Sequence, residues 1–397
     1  MRLAAPPGWR FCVDASRISR KSRAVSRPRA FRRVRTRGHP VPTFQRFCPS
    51  GDPMISRRLL ISAFSLGLLA SAPIAARAQS LNVLCAPTAQ WCEAIAAAFE
   101  RDTGVKVGMA RKSAGEILAQ IKAESQNPKT DLWFGGSAET HLAAAEQGLL
   151  QAYTSPNMKD LHPWALKVHE QSGGQSVGVS SGAIALVINK EIAAKKGFKL
   201  PEDWNDLLDP VFRNELQMPN PNSSGTAYTI VAGLIQLWNE DRAFDYLKKL
   251  HANINAYTRS GAAPLRAVSR GEAGAAISFN METQADIEKG FPITFGYPKS
   301  GTSYEVASMS LIKGSRNQAN AKKFYDWYLT GAAQDIGVAV GEFHVPAHKS
   351  AKSDPRLPDM SKIKLVDYDF KKFGAVEMRK HILERWEREV GSLPAAR

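Results

Sequence analysis

Three strand–helix units follow one another between Leu81 and Gly148, and this alternation limits the fold more than any other feature. LNVLC reads as a strand and EAIAAAFERDTG as a helix ending at Gly104. VKVGMA is a second strand, and AGEILAQIKAE is a helix opened by Ser113. DLWFGG is a third strand, and SAETHLAAAEQG is a helix closed by Gly148. Such units imply a mostly parallel sheet with crossover helices, and they exclude all-β and helical-bundle folds. Further on, SVGVSSGAIALVINK, ELQM, GEAGAAISFN, FPITFGYP and YEVASMSLIK read as strands. PEDWNDLLDP reads as a short helix, TAYTIVAGLIQLW and ANAKKFYDWYLT as longer ones, and FGAVEMRKHILERWEREV as a terminal helix.

The chain has 397 residues and a formal net charge of +16, but residues 1–53 carry +11 of it and residues 54–78 another +3. Only +2 remains on residues 79–397, which removes the basic surface that nucleic-acid binding requires. MISRRLLISAFSLGLLASAPIAARAQS, from Met54, reads as a secretion signal. Arg57 and Arg58 precede a short apolar run, and Ala76-Arg77-Ala78 fits a small-x-small cleavage site, so cleavage is expected after Ala78. The alternative is an uncleaved anchor, which the short run disfavours. Residues 1–53 are either sequence upstream of a start at Met54 or a disordered basic extension. Cys12 and Cys48 fall in that leader. Cys85 and Cys92 remain, either bridged in an oxidising periplasm or packed as two small apolar residues.

The remaining length exceeds what one core usually organises, so two lobes are expected. Residues 79–180 and 305–345 are assigned to the first lobe, 181–304 to the second, and 346–397 to a helical tail. Chain crossings fall near Ser180–Gly182 and Tyr304–Ser308.

No engine of catalysis is recognisable. There is no GxSxG elbow and no Walker-type lysine loop, and Pro346 between His344 and His348 argues against a zinc pair. The chain reads as a non-enzyme without a cofactor or metal. Four turns before helices instead carry small donors: RKSAGE with Ser113, FGGSAE with Gly136 and Ser137, NSSGTA with Ser223, Ser224, Gly225 and Thr226, and RSGAAP with Ser260. Any one turn alone is ordinary helix capping. Together, at the carboxyl ends of strands, they can offer N–H and O–H groups to an oxyanion without a formal positive charge. Trp133, Phe134, Tyr228 and Phe279 lie where they could wall a ligand or pack the core, with Tyr228 the foremost candidate for contact. Trp204, Trp238 and Trp327 read as helix packing.

TGVKVGMARKSAGEILAQIKAE, NPKTDLWFGGSAETHLAAAEQGLL, QMPNPNSSGTAYT, LKKLHANINAYTRSGAAP and NQANAKKFYDWYLT together resemble extracellular solute-binding proteins of bacterial ABC importers, in the ferric-iron-binding and AfuA-like branch. The resemblance implies a two-lobed type II periplasmic fold that closes on one small ligand and delivers it, as a monomer, to a membrane permease. Ferric binders of this branch use two neighbouring tyrosines, and no adjacent Tyr pair occurs here. Sugar-phosphate binders place Ser and Thr on the phosphate and a His-Asp pair plus a glutamate on the sugar. The chain matches the donors and, at Glu305, the glutamate, but has Met281 and Glu282 where the pair would stand. A small anionic organic solute, phosphorylated or phosphonylated, is therefore expected. Glu282 and Glu305 would face an ammonium or hydroxyl group on it. The alternatives are a ferric-iron receptor and a secreted hydrolase or transferase.

Overall fold

The computed structural model describes residues 80–352 and 354–394. The leader, the expected signal and its cleavage site lie outside the described residues. Strands β1 (Ser80–Cys85), β2 (Lys106–Arg111) and β3 (Leu132–Ser137) alternate with helices α1 (Ala89–Thr103), α2 (Ala114–Ala123) and α3 (Ala138–Glu146). After β4 (Leu150–Gln151) and α4 (Pro163–Gln171) comes the thirteen-residue β5 (Val177–Asn189), then α5 (Lys190–Lys196). β6 (Leu216–Pro219), α6 (Gly225–Leu237), α7 (Glu240–His251), β7 (Ile254–Thr258), α8 (Ala263–Ser269), β8 (Ala275–Phe279), α9 (Thr283–Glu288) and β9 (Ile293–Gly296) follow. The chain returns through β10 (Tyr304–Ile312), α10 (Gln318–Tyr328), α11 (Gly331–Ala339) and β11 (Val345–Pro346), and ends in α12 (Phe370–Gly374) and α13 (Val376–Trp386).

The main strand order is β2-β1-β3-β10-β5-β8-β6-β7. β2-β1-β3 and β8-β6-β7 are parallel, as the strand–helix alternation implies. Between them the order turns antiparallel, because β10 pairs with both β3 and β5, and β5 pairs with β8. β5 serves both flanks: Val177–Ala183 lies against β10, and Ile184–Ile188 against β8. The carboxyl ends of both parallel trios turn into helices at one crevice, the usual ligand position in open α/β sheets.

Each flank has its own apolar core. Leu81, Val83, Phe99, Phe134, Phe324 and Tyr328 are buried together in one, and Leu216, Tyr228, Phe244, Leu247 and Ile277 in the other. The C-terminal segment adds Phe370, Phe373, Ile382, Trp386 and Val390 to the second. It is not one continuous helix. Ala375 is extended, and the Glu146 carboxylate of α3 accepts the Val376 N–H at 2.8 Å, so α13 starts anew. PEDWNDLLDP likewise forms a 3-10 turn, Trp204–Leu208, instead of an α-helix, and a second 3-10 turn, Pro210–Phe212, starts at its last residue; each is opened by an aspartate that accepts a first-turn N–H. α1 begins four residues before the expected start, because Thr88 caps it by accepting the Trp91 N–H. Cys85, at the end of β1, is disulfide-bonded to Cys92 in α1, with Cα atoms 6.2 Å apart.

Candidate functional site

Ser113, Ser137 and Ser224 occupy the N-cap positions of α2, α3 and α6, each with an extended backbone. All three line one cavity, open to solvent at its mouth. Free N–H groups and the positive end of the helix dipole thus converge from three directions. Their approach depends on glycine. A Cβ on Gly225 would lie 2.6 Å from Ser137 Oγ, so only hydrogen lets α6 come this close to α3. Gly136 holds φ +88°, a conformation that side chains resist, while a Cβ there would also meet that of Ala114 at 2.8 Å. Capping and site formation are not exclusive. Ser224 Oγ accepts the Ala227 N–H at 3.3 Å while the residue lines the cavity.

Gly225, Thr226, Ser260, Met281, Glu282 and Glu305 also line the cavity, as do Gly136 and Phe279. Ser223 does not. It sits beside the mouth, where its hydroxyl donates to the Arg259 carbonyl at 3.0 Å, and Ser113 Oγ donates to the same carbonyl at 2.8 Å. Tyr228 does not either. It is fully buried one turn into α6, its hydroxyl donates to the Phe373 carbonyl at 2.7 Å, and Arg379 stacks over its ring. Trp133 and Phe134 face the core as well, Trp133 stacked on His141 and Phe134 against Tyr328. Helix and strand periodicity carry these aromatics inward.

Sequence reasoning overlooked Thr88, Trp91, Arg111, Ser278 and Glu342, which also line the cavity. Arg111 adds the formal cation thought dispensable, and its Nε donates to the Pro87 carbonyl at 3.0 Å. Its place directly ahead of Lys112 and Ser113, at a strand end, was the available signal. Glu342 follows α11 in a turn without periodicity, and nothing in its neighbourhood marked it.

Three carboxyls stand beside these donors. Glu305, on β10, has its Oε2 buried without a partner among the described residues. Burial first, and the nearby Glu139 charge second, raise its pKa to about 8. Glu282 lies 3.5 Å from Arg266, yet burial outweighs that cation and raises it to about 7. Glu342 accepts the Thr88 hydroxyl through Oε1, and burial together with Glu282 raises it to about 8. His344, next to Glu342, is stacked on Trp91 and held neutral by burial, which lowers its pKa to about 3. The cavity is bipolar: N–H, O–H and guanidinium donors share it with acidic acceptors.

Residues 127–372 match the bacterial extracellular solute-binding protein family. A Haemophilus influenzae protein is 36% identical over 338 residues, spanning 85% of this chain and 97% of its own length. The periplasmic binding protein AfuA from Actinobacillus pleuropneumoniae, solved with fructose-6-phosphate bound, is 38% identical with a TM-score of 0.76. That match covers 79% of this chain and 99% of AfuA. A Salmonella typhimurium protein, named as a candidate 2-aminoethylphosphonate-binding periplasmic protein, is 25% identical over 296 residues, 70% of this chain and 81% of its own. Matches of this extent fit the two-flanked α/β architecture and the crevice at the strand ends. The chain belongs to the bacterial extracellular solute-binding protein family, whose members bind small ligands and deliver them to ABC permeases.

Proposed function

We propose that the protein captures a small organic solute by its phosphate or phosphonate group in the periplasm and passes it, as a monomer, to an ABC permease. The observation that carries this reading is the convergence of α2, α3 and α6 on one cavity with Ser113, Ser137, Ser224 and Thr226 in its wall and Arg111 beside them. A phosphoryl group offers three oxygens to such donors, and hydrogen bonds to charged acceptors are stronger than neutral ones. Fructose-6-phosphate in AfuA and the 2-aminoethylphosphonate in the name of the Salmonella relative support the same class. Ferric iron prefers hard ligands such as phenolates, and no tyrosine is among the residues lining this cavity. The signal would be removed after Ala78 in the course of export.

Thermal unfolding in the presence of fructose 6-phosphate, 2-aminoethylphosphonate, malate and ferric citrate tests the reading. A ligand at a hundred times its Kd stabilises the native state by about 2.7 kcal/mol. The phosphorylated or phosphonylated compounds are expected to raise Tm, and malate is not. Stabilisation by ferric citrate alone would replace the proposal with iron capture.

A further inference from the structure

Glu342 is 3% exposed and stands in the turn after α11, apart from the elements that present Ser113, Ser137 and Ser224. Its Oε1 accepts the Thr88 hydroxyl, while Oε2 is buried in the cavity wall without a partner among the described residues. Glu282 lines the same cavity at the start of α9. The two segments touch where the Phe343 N–H donates to the Met281 carbonyl at 2.9 Å. An adjoining recess is lined by Thr88, Arg266, Glu282, Asp286, Lys289 and Glu342, and by none of the three serines. Glu282 and Glu342 therefore also face a recess that the serines do not reach. Among the described residues no Lys or Arg lies within salt-bridge range of Glu342, and Arg266 reaches only Glu282. A buried carboxyl with an orphaned oxygen destabilises a fold, so a group retained in that state asks for an unseen partner.

Resting on the reading of the donor end as a phosphate or phosphonate seat, we propose that Glu342, with Glu282, determines specificity by accepting a protonated amine on the solute's other end. An ammonium brings three donors and the positive charge that Glu342, unlike Glu282 with its Arg266, lacks among the described residues. A hydroxyl would satisfy Oε2 but leave that charge uncompensated. The ligand class is an aminoalkyl phosphate or phosphonate. Burial first, then the Asp286 charge on Glu282 and the Glu282 charge on Glu342, raise both glutamates toward neutrality, and a bound cation opposes those repulsions. The other titratable and charged groups around the pair are Arg266, Asp286 and Lys289 in the recess, and Arg111 and Glu305 in the cavity.

Calorimetric titration of the full protein with 2-aminoethylphosphonate, ethylphosphonate and fructose 6-phosphate tests this. The wild type is expected to bind 2-aminoethylphosphonate at least about tenfold more tightly than ethylphosphonate, the effect of one charge-assisted contact. E342Q should erase most of that preference, change ethylphosphonate affinity by less than about twofold, and leave Tm near the wild-type value, since a carboxyl already held near neutrality is exchanged for a neutral amide. Equal wild-type affinity for the two phosphonates overturns the inference without needing a variant. So does an E342Q that weakens both alike, or tighter binding of fructose 6-phosphate, which assigns the acidic end to hydroxyls. If none of the three binds the wild type, the phosphate seat itself fails, a result distinct from a lost preference between phosphonates that do bind.

Discussion

Glu305 carries two burdens in β10: it is buried beside the Glu139 charge, and its Oε2 has no partner among the described residues. Burial first and the Glu139 charge second lift its pKa from the ordinary 4.5 to about 8. Between those values the native chain holds a proton that the unfolded chain has released, so stability is complete below the unfolded value and declines as pH rises through the folded one. Thermal unfolding followed from about pH 5 to about pH 9 should show Tm falling across that window, with a shallower fall in E305Q. An equal slope in both proteins would remove Glu305 as the source. Ser224 and Thr226 act on the other face of the problem. Ser224 caps α6, so replacing both by Ala should cost the fold about 1 kcal/mol. Loss of two donors to a charged oxygen should cost binding of a phosphorylated ligand about 2 to 4 kcal/mol. Calorimetry alongside denaturant unfolding separates the two, and unchanged affinity would return NSSGT to plain capping.

Among the elements, β1 and α1 show how the chain holds the cavity wall. The turn between them supplies Thr88, the first turn of α1 supplies Trp91, and the Cys85–Cys92 disulfide closes the loop. Replacing both cysteines by serine is expected to lower stability by about 2 kcal/mol, because a short loop gains freedom when unfolded; urea unfolding measures it. The strand–helix units on either side of this turn were legible because their apolar periods are long and their caps explicit: Ser113, Gly104 and Gly148 stand at the element ends. The donor turns were legible for the same reason. What escaped was set by contacts distant in sequence. Glu146 restarts the terminal helix at Val376 from more than two hundred residues away. Tyr228 turns inward because Phe373 takes its hydroxyl. Arg111 and Glu342 enter the site from a strand end and a turn whose local sequence is equally compatible with solvent. The antiparallel pairing of β5 and β10 was invisible too, since a strand's partner is a tertiary choice.

For the molecule as a whole, β5 and β10 join the two parallel flanks, and the crevice between those flanks is bridged at its rim. Gly115 N–H donates to the Ser223 carbonyl at 3.0 Å, and Ser113 and Ser223 share the Arg259 carbonyl. The Arg259 guanidinium adds an ion pair to Glu116 at 2.5 Å. With Arg259 86% exposed and Glu116 31% exposed, solvent screening keeps that pair's stabilising effect small. Its consequence should therefore be kinetic. A ligand held between two flanks leaves only when the rim parts, and a rim contact that breaks during opening adds up to its own strength to the barrier to release. R259A retains the backbone carbonyl and both serine hydrogen bonds while deleting the charge. It should change unfolding free energy by less than about 0.5 kcal/mol and speed ligand release by up to about twofold, with association nearly unchanged. High salt screens the same pair, so in about 1 M salt wild type and R259A should release ligand at the same rate. Stopped-flow displacement at low and high salt reads this directly. A release rate identical in the two proteins at low salt would mean that the backbone bonds alone govern the rim, and a difference persisting at high salt would point to packing by the Arg259 stem instead of its charge.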